Sequence, residues 1–330
     1  MISRAAVFAA VLLGLCAGGL PHPCGQAQAQ DYPARGISLV VPYPPGGGVD
    51  AMARVVAEKL SGALGQQVVV DNRAGGSGLV GTRTFIKSPP DGYTLFLGHT
   101  GSISINPSLY ANAGFDPRKD FAAIGLIASM PVALLAHPSF PAKTIGETVA
   151  IAKEVGSKFN IGTSAVGTGG YLSAELFKAV TGIDAAIIPY KGTGQVMNDL
   201  LGNHVPVAFG VLPPALGNLQ AGTLKAIAVL SPTRFSLLPE VPTANESGLP
   251  GFESVLHYGL LAPAGTPKAV VMRVHDETVK ILAMPEMKER FQNTLGGDAV
   301  GNTPDQFAAD IKNDIARWGV IVRQTGIKLE

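Results

Sequence analysis

Short apolar runs alternate with amphipathic segments along most of the chain. Ile37 to Val41 reads as a buried strand. Val49, Met52, Ala53, Val56, Leu60, Ala63 and Leu64 recur at the i, i+3, i+4, i+7 spacing of one helical face, so Val49 to Leu64 is predicted to be a helix. Gln67 to Val70 follows as a strand, Gly78 to Lys87 as a helix, and Tyr93 to Leu97 as a strand introduced by the turn Pro90-Asp91-Gly92. That βαβαβ order implies an α/β unit with a mostly parallel sheet and helices on both faces. The pattern then restarts. Strands are expected at Val132 to Ala136, Lys158 to Gly162, Ala186 to Pro189, Val205 to Phe209 and Leu224 to Leu230. Helices are expected at Thr144 to Val155, Gly170 to Val180 and Thr193 to Leu201. Phe252 to Leu261 reads as a strand leading into a helical tail, Lys268 to Gln324, that can pack back on the first unit. The expectation is two α/β lobes, joined by at least two crossings, with a ligand cleft between them.

The first 29 residues change the picture of where the protein works. Arg4 precedes an apolar run from Ala5 to Leu15, and Ala27-Gln28-Ala29 has the small-x-small form of a cleavage site. The segment reads as a signal peptide, residues 1–29, with a mature chain starting near Gln30 outside the cytoplasm. Cys16 and Cys24 both lie before that site and neither sits in a good lipid-attachment box, so the mature chain is expected to fold without a disulfide. Its length of roughly 300 residues suits two lobes with their own cores. Lys and Arg number 25 against 24 Asp and Glu, without a basic stripe, which removes the electrostatic basis for nucleic-acid or anionic-lipid binding.

Candidate chemistry concentrates in glycine-rich loops. Val41-Pro42-Tyr43-Pro44-Pro45-Gly46-Gly47-Gly48-Val49-Asp50 carries a strand through a Pro/Gly turn directly into a helix. Glycines let a ligand approach the backbone, and the helix start offers unpaired N–H donors and the positive end of its dipole. Asp50, in the first turn, can cap backbone donors. Taken alone, the loop is equally readable as a tight turn with an ordinary cap. Gly46-Gly47-Gly48-Val49-Asp50-Ala51, with Asp71 ending the next strand, also has the outline of a dinucleotide-binding fingerprint. Export, the stiff Pro44-Pro45 pair and an equivalent loop in the second lobe weigh against that reading. The equivalent loop is Gly162 to Gly170, again between a strand and a helix, and it adds the hydroxyls of Thr163, Ser164 and Thr168. Gly98 to Ser104 forms a third candidate loop. Open α/β sheets bind ligands at the carboxyl ends of their strands, so all three can face one crevice.

Enzyme chemistry finds little support. Gly75-Gly76-Ser77-Gly78-Leu79 fails the nucleophile-elbow pattern at its last position. His99, His137, His204, His257 and His275 are scattered without metal-type spacing, so no metal or cofactor is expected. A secreted α/β enzyme, or a dinucleotide-binding oxidoreductase, stays a distant alternative to a binding protein.

The ordered motifs Val41 to Asp50, Asp71-Asn72-Arg73-Ala74-Gly75-Gly76, Asp91-Gly92-Tyr93-Thr94, Ile105-Asn106-Pro107-Ser108-Leu109-Tyr110, Pro189-Tyr190-Lys191-Gly192, Asp199-Leu200-Leu201-Gly202 and Leu238-Pro239-Glu240-Val241-Pro242-Thr243 are together specific. They cover essentially the whole mature chain, which resembles the Bug, or tripartite tricarboxylate transporter receptor, family of periplasmic solute-binding proteins. The resemblance implies a Venus-flytrap fold of the type II periplasmic kind. Its first lobe would be residues 30–130 plus 252–330, and its second residues 131–251. It implies a monomer that takes a dicarboxylate, tricarboxylate, amino acid or aromatic acid for a tripartite-tricarboxylate-type membrane permease, with a sensor-partner role as the alternative. One ligand carboxylate would be held by backbone amides of the two glycine loops. The expected contacts are Tyr43, Pro44, Gly46, Gly47, Gly48 and Asp50, then Thr100 and Ser102, then Thr163, Ser164, Gly167, Thr168, Gly169 and Tyr171. Tyr190, Gly210 and Val211 complete the distal wall. Family members often carry His where Tyr171 stands, and Asp or Asn where Gly210 to Pro213 follows its strand. These departures imply a less polar distal pocket, for a ligand with one carboxylate and an uncharged or aromatic body.

Overall fold

A computed structural model describes residues 32–295, 297–327 and 329. The proposed signal peptide lies outside the described residues.

The first unit begins with β1 (Ile37–Val41), α1 (Gly48–Leu64), β2 (Val68–Asn72), α2 (Leu79–Phe85) and β3 (Thr94–His99). Strand β1 sits between β2 and β3 and is parallel to both, as the βαβαβ pattern requires. Two short helices, α3 (Asn106–Leu109) and α4 (Pro117–Asp120), lead into β4 (Phe121–Ala136). The second unit runs through α5 (Ile145–Val155), β5 (Asn160–Thr163), α6 (Gly169–Thr181), β6 (Ala186–Pro189), α7 (Thr193–Leu201), β7 (Val207–Val211), α8 (Leu216–Gln220) and β8 (Lys225–Val229). The chain returns by β9 (Val255–Pro263) and finishes with α9 (Lys268–Ala283), α10 (Pro285–Arg290), β10 (Asp298–Ala299) and α11 (Pro304–Thr325).

Strand β4 is the spine. Phe121 to Pro131 pair antiparallel with β9, whereas Val132 to Ala136 pair antiparallel with β7 and β8. The strand order is β2-β1-β3-β9-β4-β7-β5-β6, with β8 and β10 also on β4. Each half is therefore mixed. A parallel trio, β2-β1-β3 or β6-β5-β7, is extended by antiparallel strands, in place of the mostly parallel sheets expected. Only the second part of β4 was anticipated from sequence. Phe121 to Pro131 is buried on both faces over much of its length, so it lacks the two-residue alternation that marks a half-exposed strand.

Where the halves meet, three strands are laced together. Val132 N donates to Ser254 O (2.9 Å), Leu230 N to Val132 O (2.8 Å) and Ser254 N to Leu230 O (2.7 Å). Helices α1 and α9 cover one face of the first half through Met52, Val56, Leu60, Val274 and Ile281. On the other face Phe307 and Ile311 of α11 pack with Phe85 and Phe96. A Cβ at Gly259 of β9 would lie 1.8 Å from the Phe307 ring, so only glycine lets α11 seat this closely. The start of α11 is fixed by a reciprocal cap, in which Thr303 Oγ1 accepts from Gln306 N and the Gln306 side chain accepts from Thr303 N.

Candidate functional site at the strand-end loops

The loops after β1, β2 and β3 leave the carboxyl ends of the first parallel trio, and the loop after β5 does the same in the second. Gly46 to Gly48 are exposed, and Gly46 takes a φ of 83°, a left-handed backbone that favours glycine. Gly47 stands at the N-cap of helix α1 and gives it no side-chain cap, so the first N–H groups of the helix stay free for an acceptor. Asp50 does not fill them. Its buried carboxylate accepts from Gly46 N (2.9 Å), Arg54 Nε (3.0 Å) and Asn72 Nδ2 (3.0 Å), and Asn72 also donates to Tyr43 O (3.1 Å). Burial alone would raise the Asp50 pKa, and these hydrogen bonds outweigh it and hold it below the ordinary value. Asp50 therefore braces the loop from behind. The loop cations are engaged as well, Arg54 with Asp50 and Arg73 with Asp71 (2.7 Å).

Tyr43 stacks on His99 at 4.7 Å between centroids and 8° between planes. Gly101 N donates to His99 Nδ1 (2.8 Å), which places the proton of the neutral ring on Nε2. Burial pushes the His99 pKa down to about 4, so the ring is neutral at physiological pH. Ser102 is buried and donates to His99 O (3.1 Å). Thr100 is also buried, and its hydroxyl accepts from His257 N (2.8 Å) beside an Asp314–His257 pair (2.8 Å). Thr100 and Ser102 thus shape the loop from inside.

In the second half, Thr168 caps α6 by accepting from Tyr171 N (3.3 Å) and shares a hydrogen bond with Ser164 (2.9 Å). Thr163 is buried and donates to Ser164 O (3.0 Å). This loop meets the first half at residues that sequence reasoning did not single out as contacts. Ser77 Oγ donates to Val166 O (3.3 Å). A Cβ at Gly167 would lie 2.7 Å from Leu109 Cδ2, and one at Gly169 would lie 2.4 Å from Leu256 Cδ2. Ser77 belongs to the turn Gly75 to Gly78, where all four residues have positive φ, including Ser77 at 52°. A Cβ at Gly78 would sit 3.4 Å from Pro42 Cβ and from the Tyr43 hydroxyl, so this turn links the two glycine loops. The run Gly75-Gly76-Ser77-Gly78 was its one sequence signal.

Tyr171, Tyr190, Gly210 and Val211, the expected distal wall, all lie in the second half. Tyr171 lies one turn before Glu175 on α6, and burial, with the nearby Glu175 carboxylate, raises its pKa to about 12. Tyr190 Oη donates to Asp199 Oδ2 on α7 (2.6 Å), and its ring packs on the Val196–Met197 side of the sheet. Gly210 and Val211 lie inside β7, paired with Ala133 and Val132, because the strand runs two residues past the predicted end. A separate groove of about 410 Å3 lies between Leu176 and Val180 of α6, Phe252, and Arg317 and Val320 of α11. It shares no residue with the glycine loops, and Arg317 is bound to Glu253. Among the described residues, no His/Cys/Asp/Glu group could hold a metal ion, and no helix is long and apolar enough to cross a membrane.

Comparison with known proteins agrees with this architecture. Residues 52–327 match the model of the tripartite tricarboxylate transporter family receptor. Protein BugT of Bordetella pertussis is 34% identical over 325 residues, covering 98% of each chain. The periplasmic binding protein BugD superposes with a TM-score of 0.81 at 35% identity, over 91% of this chain and 100% of that one. Rpa4515 of R. palustris, solved with adipate, gives 0.83 at 33% identity, over 90% and 99%. MatC of Rhodopseudomonas palustris, solved with malate, gives 0.80 at 30% identity, over 88% and 100%. The chain belongs to the tripartite tricarboxylate transporter receptor family of periplasmic solute-binding proteins, receptors of Venus-flytrap architecture and not a family of enzymes.

Proposed function

We propose that this receptor captures a small carboxylate in the cleft between its lobes and delivers it to a membrane permease of the tripartite tricarboxylate type. The observation that carries this reading is the uncapped, glycine-exposed start of α1, whose nearest carboxylate, Asp50, is turned inward. Free N–H donors at a positive helix end suit an anionic oxygen, through charge-assisted hydrogen bonds and roughly 0.3–1 kcal/mol from the dipole. With Arg54 and Arg73 each paired, the main chain is the recognising group. Relatives solved with adipate and malate support the ligand class. The first lobe is residues 30–130 plus 252–330 and the second residues 131–251, and the protein acts as an exported monomer cleaved near Ala29. The pairing change on β4 between Pro131 and Val132 supports that division.

Thermal-shift screening of mono-, di- and tricarboxylates, amino acids and aromatic acids, followed by calorimetry, tests the proposal. A carboxylate that binds stoichiometrically, and whose amide or alcohol analogue does not, is the expected result. Failure of every carboxylate, or equal binding of the uncharged analogues, would overturn it.

A further inference from the structure

The side chain of Asn106 is fully buried at the beginning of α3. Three of its four polar groups are satisfied. Its backbone N–H donates to Gly101 O, its carbonyl accepts from Tyr110 N (3.0 Å), and Nδ2 donates to Ser77 O (3.0 Å). Because a carbonyl faces Nδ2, the amide cannot be turned over without opposing two oxygens. Oδ1 is left with no donor, although buried polar atoms in folded proteins are nearly always paired.

Its position gives that oxygen a purpose. Leu109, three residues on, shares a face of α3 with Asn106 and abuts Gly167 of the second glycine loop. Ser108 points the other way, toward Gly319 of α11. Ser77, the partner of Nδ2, reaches Val166 O of the same loop. Asn106 therefore lies where the Gly75 to Gly78 turn, the turn Gly101–Ile105 and the loop of the other lobe converge. Its own partners, Gly101, Tyr110 and Ser77, and the residues met by Ser77 and Leu109 across the halves, Val166 and Gly167, include no acidic group. A cationic donor buried there would lack a counter-charge, whereas a hydroxyl would not need one.

Resting on the carboxylate-receptor reading above, we infer that Asn106 is a specificity-determining residue whose Oδ1 accepts a hydrogen bond from a hydroxyl on the carboxylate ligand. A site built to pair a hydroxyl discriminates strongly against the analogue without one, since the buried acceptor is then stranded.

Calorimetry with matched probes tests this: succinate and 2-hydroxysuccinate, butyrate and 3-hydroxybutyrate, benzoate and 4-hydroxybenzoate, with 2-aminosuccinate as the ammonium arm. In at least one pair the hydroxylated acid is expected to bind tenfold or more tightly than its parent. That ratio should fall below twofold in Asn106→Ala or the similarly sized Asn106→Leu. Ser77→Ala, which spares the amide oxygen, should keep the ratio while weakening both acids. Should both Asn106 variants fail to fold, the wild-type side-chain amide resonances decide, shifting with the hydroxylated acid and not with its parent. Equal affinities within every pair that binds, an unchanged ratio in the Asn106 variants, or tighter binding of 2-aminosuccinate than of 2-hydroxysuccinate would overturn the inference and leave carboxylate capture standing. Absence of binding by every carboxylate would remove both.

Discussion

At the scale of single residues, the loops of the candidate site are braced by buried polar groups that bond to the protein itself. Asp50 is the clearest case, since one carboxylate ties Gly46, Arg54 and Asn72 together. Asp50→Ala strands those donors and should cost about 2 kcal/mol in urea unfolding. Ligand affinity should also fall, because the loop loses its brace. The folded-state pKa of Asp50 is depressed, so its contribution is complete above the ordinary carboxylate value near 4 and is lost as pH falls from there toward the lower folded value. The variant should show a flatter stability profile in that window. His99 behaves in the same acid direction for a different reason. Buried neutral with a pKa of about 4, it leaves the unfolded chain binding more protons below about pH 6.5. Stability should decline from there toward pH 4, and the His99 ring resonances should not titrate between pH 8 and 5. A half-titrated ring at pH 6.5 would contradict the burial argument. Sequence alone placed Asp50 and His99 at glycine-rich loops that follow strands. It could not tell that Asp50 faces inward or that Tyr43 closes over His99, because both depend on Asn72 and on the neighbouring strand.

At the scale of elements, two helices of similar setting start differently. Helix α6 is capped by Thr168, whereas α1 begins at a bare glycine. Gly47 has φ −84° and ψ 170°, a conformation open to any residue, and a Cβ there would meet only Pro44 O at 3.7 Å. Glycine is therefore not required at this position by the backbone, which suggests that the vacant cap matters for binding. Gly47→Asp should gain a few tenths of a kcal/mol of stability by capping α1. It should weaken carboxylate binding at least tenfold, since the new carboxylate occupies the donors and repels the ligand. Calorimetry and urea unfolding on the same sample would show the opposed effects, and unchanged affinity would remove the helix start from the binding site. The elements themselves were largely legible. Helix α1 and strand β6 fall where periodicity put them, because one face of each pattern is plainly apolar or bounded by turns. The first part of β4 was invisible because a strand buried on both faces has no alternation to read, and β7 was placed two residues early, at Val205 to Phe209 in place of Val207–Val211.

At the scale of the whole molecule, a polar contact between the halves, such as the one from Ser77 to Val166, can tune closure. The two halves share the continuous strand β4 and one apolar cluster, in which Leu39 and Val274 of the first half join Phe177 and Phe209 of the second. Across the cleft stand the Ser77–Val166 hydrogen bond and the packing of Leu109 and Leu256 against Gly167 and Gly169. A ligand that contacts both lobes favours the closed state by the difference in its affinity for the two states. Any contact made only on closure adds to that difference. Removing the Ser77 hydroxyl forfeits about 1 kcal/mol, which raises the apparent Kd about fivefold, mainly through faster release. Ser77→Ala and Ser77→Gly lose the same hydroxyl but differ in backbone. Ser77 holds a φ of 52°, which costs an L residue on the order of 1 kcal/mol and glycine almost nothing. Both variants should therefore bind more weakly, while only Ser77→Gly gains unliganded stability. Small-angle scattering supplies the independent readout. The wild-type protein should compact at saturating ligand, and the variants should reach the same compact state only at higher ligand concentration. If the wild type did not compact with a ligand that stabilises it by about 2.7 kcal/mol at a hundred times its Kd, hinge closure would be excluded as the capture step. If compaction occurred but both Ser77 variants bound as tightly as wild type, closure would stand, and the apolar contacts of Leu109 and Leu256 would be left to hold it.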